Sequence, residues 1–116
     1  MKLNFFVLFF TLFLTTNLNA QTQAEMTNTA MNDFKKTDKV LNVVYNKLIK
    51  ILSQEEKKLL IKAQKDWLKF RDSHCEFEII EYQGGSIQSL IKYNCMEDLT
   101  KIRIEDLNSA IGKRDL

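Results

Sequence analysis

His74 and Cys75 stand side by side, a base next to a thiol, which is the residue pair that nucleophilic catalysis by a cysteine requires. If this segment is helical, successive residues point about 100° apart, so the imidazole does not face the thiol. Cys75 also has another use. The chain carries two cysteines, Cys75 and Cys95, and one histidine, and a zinc site needs more ligands than these three readily supply. In an exported chain an even cysteine count reads as a disulfide, and an oxidised sulfur is no nucleophile. Glu76, Glu78 and Glu81 could move protons, but no nucleophile or metal ligand accompanies them, and near a hairpin end they read as solvated surface. The sequence therefore predicts no enzyme, no metal site and no cofactor.

Two charge patterns remain. Lys58, Lys62, Lys65 and Lys69 recur at helical spacing, a basic stripe that could meet an anionic lipid or glycan and that also reads as the solvated face of a helix. From Asp72 to Asp98 there are six acids (Asp72, Glu76, Glu78, Glu81, Glu97 and Asp98) against the single lysine Lys92. An acidic segment in a chain whose net charge is only +2 argues against nucleic acid and for steering a cationic partner.

The elements that must carry these residues begin after the N-terminus. Lys2, the apolar run from Phe5 to Leu14 and the small Ala20 have the order of a secretory signal peptide. The apolar run is too short to span a bilayer as a helix. Cleavage is expected between Ala20 and Gln21, leaving residues 21–116 as one domain, periplasmic or secreted, with no membrane span. That domain has no proline, and the whole chain has three glycines, a composition that favours helices.

The periodicity predicts an all-α fold, an antiparallel three-helix bundle. Met26, Ala30, Phe34, Leu41, Tyr45, Leu48 and Leu52 form one stripe. Ser53 followed by Glu56 is a capping box that starts a second helix, whose stripe runs through Leu59, Leu60, Ala63, Trp67, Phe70, Cys75 and Ile79. Gly84-Gly85 breaks that helix. Ser86 is expected to cap a third, carrying Leu90, Ile91, Cys95, Leu99, Ile102, Leu107 and Ala110 and ending at Gly112. In a hairpin turning at Gly84-Gly85, facing residue numbers sum to about 170, as Cys75 and Cys95 do. The disulfide then pins the helix 2–helix 3 turn, and closing a loop of this length contributes roughly 3 kcal/mol. The same arithmetic about Ser53 brings Asp38 near Trp67 and Arg71, and Asn42 opposite Gln64, with Arg103 close by. An inward Arg71 requires a carboxylate, for which Asp38 is the candidate. This layer reads either as a polar binding pocket or as a network that fixes helix register.

The ordered set Gln23-Ala24-Glu25-Met26, Asp38, Leu41-Asn42, Tyr45, Gln64, Trp67, Arg71-Asp72, Cys75, Gly84-Gly85-Ser86, Cys95, Leu99-Thr100 and Arg103 resembles the domain family named for lysozyme inhibitor LprI. The resemblance covers nearly all of residues 21–116 and implies an exported helical domain that binds and inhibits lysozyme. On that expectation the partner is a protein, and the contact surface is the hairpin tip: Gly84, Gly85 and Ser86 at the turn, Tyr82 and Ile87 as apolar contacts, Glu78 and Glu81 as steering charges. The alternative is an envelope structural or stress module that binds another cell-envelope component. Mass spectrometry of exported material is expected to find a chain beginning at Gln21 and two hydrogens lighter than the reduced mass; free thiols at Cys75 and Cys95 would contradict the staple.

Overall fold

The computed structural model describes residues 2–115, with side chains from Thr22 to Asp115. Among these residues there are three α-helices, α1 (Lys2–Lys50), α2 (Gln54–Glu78) and α3 (Gln88–Arg114), with a 3₁₀ turn, Ile80–Tyr82, between the last two. The leader expected over residues 1–20, with its cut after Ala20, falls where side chains are not described. No helix among the described residues is long and apolar enough to cross a membrane. α1 extends well N-terminal to the stripe that begins at Met26, because neither proline nor glycine interrupts it.

Each boundary has a local cause. Ser53 sits in extended backbone at the start of α2. Its hydroxyl accepts from the Glu56 N–H at 3.2 Å, while the Glu56 carboxylate accepts from the Ser53 N–H at 2.9 Å. This reciprocal pair satisfies two of the N–H groups that a helix start leaves open. At the other end of α2 the chain tightens into the 3₁₀ turn and reverses at Gly84, whose φ of +78° is costly for any residue with a side chain. The Gly85 N–H donates to the Tyr82 carbonyl at 2.9 Å, and a Cβ at Gly85 would stand 3.1 Å from that same oxygen.

Two expected boundary signals act differently. Ser86 does not cap α3: Ile87 holds the N-cap position without a side-chain bond, and the Ser86 hydroxyl donates instead to Gln23 Oε1 of α1 at 2.6 Å. Gly112 does not end α3, which continues to Arg114. A glycine inside a helix costs about 1 kcal/mol relative to alanine, and Arg114 offsets this by donating to the Ala110 carbonyl at 3.0 Å and to Glu56 at 2.9 Å.

The register is up–down–up. α3 runs antiparallel to α2, through Cys75–Cys95, Lys92–Glu76 and Arg114–Glu56. It runs parallel to α1, through Gln23–Ser86, Phe34–Tyr93 and Thr37–Glu97. α1 and α3 make the most extensive helix–helix contact. One end of the bundle is an apolar cluster of Leu41, Leu48, Leu52, Leu107 and Ile111. Towards the other end lie the disulfide, with Cα atoms 5.7 Å apart, and buried Ala30, Ile79 and Leu90. Met26, Leu59, Phe70 and Ile102, expected on the inner stripes, are exposed. Three helices cover only part of each other, and these residues lie on flanks that no neighbour reaches.

The ring closed by Ser53, Glu56 and Arg114 yields a prediction. Ser53→Ala is expected to cost about 1 kcal/mol in chemical denaturation. The Ser53 N–H, and after it the Arg114 guanidinium, holds the Glu56 carboxyl below the ordinary carboxylate range. A folded-state pKa below the unfolded value adds stability above the unfolded pKa, and that stability is lost as pH falls through the folded one. Melting temperature should therefore drop less steeply on acidification in Glu56→Gln than in the parent.

Candidate functional site: the hairpin tip and the polar layer behind it

Between the two apolar ends lies a layer built on one guanidinium. Arg71 is 7% exposed although it is charged, so its donors need partners inside the protein. Its Nη1 donates to Asp38 Oδ1 on α1 at 3.1 Å and to Thr100 Oγ1 on α3 at 3.4 Å, and its Nε donates to Asp72 Oδ1 at 3.0 Å. The faces of Phe34 and Trp67 lie 5.2 and 5.4 Å from the guanidinium carbon, within cation–π range. Thr100 is fully buried, and its hydroxyl donates a hydrogen bond to the Met96 carbonyl at 2.6 Å. Arg103 lies over the same Trp67 ring at 5.8 Å and donates to Gln64 Oε1 at 3.0 Å. Asn42 is exposed and lines a cleft with Gln64 and Asp38, but the Gln64 carbonyl is taken by Arg103.

Asp38, Trp67 and Arg103 follow from register arithmetic; Phe34, Asp72 and Thr100 do not. The signal for Phe34 is its place one helical turn before Asp38. Thr100 gives no sequence signal of its own, because a buried threonine and a solvated one look alike without the partner.

The tip residues lie at the far end of α2 and the start of α3. Tyr82 and Ile87 are exposed, and Glu81, Gly84, Gly85 and Ser86 are exposed with them. Glu78 sits lower. It pairs with His74 at 3.5 Å and lines a groove of about 460 Å³ with Ile91, Asn94, Cys95, Asp98 and Leu99. The Ser86–Gln23 bond means that α1 braces the turn, so the tip is buttressed rather than free-standing. The local field is also weaker than the acid count suggests: Asp72 pairs with Arg71, Glu76 with Lys92 and Glu97 with Lys101. Of the six acids, Glu81 and Asp98 carry no ion pair among the described residues, and Glu78 has only His74. No group of three or more histidine, cysteine or carboxylate side chains that could hold a metal occurs among the described residues.

The model of the family described as lysozyme inhibitor LprI matches residues 15–107. The chain belongs to that family. The chain is also similar to the uncharacterized protein R02472 of Rhizobium meliloti (strain 1021), 28% identical over 105 residues, covering 79% of this chain and 76% of that protein. No solved structure matches the chain. The family description is that of a lysozyme inhibitor.

The Arg71 layer yields the next prediction. Removing one member of a fully buried pair costs about 3–5 kcal/mol. Asp38 is 38% exposed at its side chain, and Asp72 and Thr100 still hold the guanidinium, so Asp38→Ala should cost about 1–2 kcal/mol in urea unfolding. Arg71→Ala should cost more, because it also strips the packing from Phe34 and Trp67.

Proposed function

We propose that this chain is exported through its N-terminal leader, residues 1–20, and acts in the periplasm or outside the cell as a protein-binding inhibitor of lysozyme, working by steric contact. Family membership over residues 15–107 carries this reading. The geometry supports it in a second way. The Cys75–Cys95 bond and the Ser86–Gln23 contact hold the turn in one shape, which lowers the ordering cost of presenting it to a partner. Tyr82 and Ile87 then supply apolar contact, Gly84 and Gly85 allow close backbone approach, and Glu78 and Glu81 steer a cationic protein. A partner that is some other envelope component is the competing outcome.

The test is inhibition of a panel of lysozymes by the purified protein, with binding kinetics for tip variants. Tyr82→Ala is expected to weaken binding mainly through faster dissociation. Glu78→Lys with Glu81→Lys should slow association, most clearly at low salt. If both variants fold and inhibit like the parent, the tip is not the contact. If the parent inhibits no lysozyme, the inhibitor reading fails and the fold alone stands.

A further inference from the structure

We propose that the cleft between α1 and α2 beside Arg71 is a binding site for the acetamido group of an N-acetylated sugar. The cleft lies away from the tip, and its ligand does not rest on the inhibitor reading.

Two side chains at its floor are more than nine-tenths buried yet keep an open donor. Gln64 is 9% and Arg71 7% exposed. Arg103 Nε can only donate, so its bond fixes the Gln64 amide with Oε1 toward Arg103 and Nε2 on the other arm. Arg71 spends Nε on Asp72 and Nη1 on Asp38 and Thr100. Among the described residues, Gln64 Nε2, Arg71 Nη2 and Asp38 Oδ2 make no hydrogen bond, and no fully buried side-chain nitrogen or oxygen lacks a partner. These three atoms therefore reach solvent, and the cleft that Asp38, Gln64 and Arg71 all line is their way out. Nη2 shares the side of the guanidinium that Nε turns to Asp72. Asp72 stands one turn after Leu68, which forms part of the cleft wall.

The charges and the walls choose the ligand. Asp38 and Asp72 already balance the guanidinium, so an anion would meet the Asp38 carboxylate inside the cleft. A cation would meet Arg71, with Lys65 at the mouth. A wholly apolar group would strip water from two donors and an acceptor without replacing its bonds. A secondary amide fits all three: its carbonyl accepts from Gln64 Nε2 and Arg71 Nη2, and its N–H donates to Asp38 Oδ2. The apolar walls, Leu41, Ile61 and Leu68, suit the methyl group beside that carbonyl. Half-buried Tyr45 offers an aromatic surface for the apolar face of a pyranose ring. Exposed Asn42 and Lys65 at the mouth offer polar atoms to hydroxyl groups. The volume, about 330 Å³, suits one sugar residue better than a length of peptide.

The experiment is an NMR titration of the isotope-labelled protein with N-acetylglucosamine to about 20 mM, which reads the dissociation constant on the order of 1 mM expected for so small a ligand. The Gln64 side-chain amide and the backbone amides of Asn42, Ile61 and Leu68 should shift. Glucosamine, which lacks the acetyl group, and acetate, which lacks the N–H and carries a charge, should leave them in place. Gln64→Glu keeps the acceptor for Arg103 and removes the open donor, and it should weaken binding about 10-fold or more. Ile61→Arg, at an exposed position, should do the same by filling the cleft, and it decides the question if Gln64→Glu does not fold. The absence of any shift with N-acetylglucosamine overturns the proposal. Equal shifts with glucosamine or acetate overturn it, as does binding that survives either folded variant. Binding of N-acetylalanine methylamide as tight as that of the sugar would give the cleft to a peptide and overturns it too.

Discussion

A positive charge inside a small helical bundle is the constraint around which the rest of this molecule is arranged. Arg71 cannot be buried without partners, and it takes them from every direction: Asp38 on α1, Thr100 on α3, Asp72 beside it on α2, and two aromatic faces. Those contacts are geometrically narrow. A slip of one residue along any helix would turn Asp38 or Thr100 away by about 100° and leave a guanidinium unpaired at a cost of several kcal/mol. The apolar cluster at one end supplies stabilisation but little register, since leucines accept many neighbours. The guanidinium supplies register.

The disulfide and the Ser53–Glu56–Arg114 ring work on the same problem from the two ends. The first joins α2 to α3 just below their turn, and the second joins the start of α2 to the end of α3. α2 is thus tied to α3 at its top, middle and bottom. α1 meets α3 over a long parallel contact and reaches α2 through Asp38 and Phe34 on Arg71 and through the apolar cluster against Leu60 and Trp67. The hairpin is the chemically fastened unit, and α1 is the helix that closes it by packing.

Much of this was legible in the residues themselves. The capping box at Ser53 follows from a three-residue spacing, and the pairing of Cys75 with Cys95 from a sum about the glycine turn. The approach of Asp38 to Arg71 follows from the same sum about Ser53. These readings succeed because helical register is nearly rigid and one known turn propagates along the whole element. Ser86 and Gly112 misled because a cap or a stop is a local competition that tertiary contacts can decide. Gln23, more than sixty positions away, claims the Ser86 hydroxyl, and Arg114 carries the helix past the glycine. The stripes of α2 and α3 misled in another way. Hydrophobic periodicity reports which side of a helix is apolar, but not how much of that side a neighbour covers, so Leu59, Phe70 and Ile102 read as core and lie in the open.

The Ser86–Gln23 contact has a bearing on how the molecule can be handled. A chain trimmed to Gln21 would begin two residues before the side chain that braces the Gly84-Gly85 turn, whereas Arg114 is anchored beside Glu56 at the opposite pole. The two termini are therefore not equivalent as attachment points. An affinity tag, fluorophore or tether fused at the N-terminus would crowd the turn. The same addition at the C-terminus would hold the protein by its far end and leave the turn facing outward, as a sensor surface or a fusion scaffold requires.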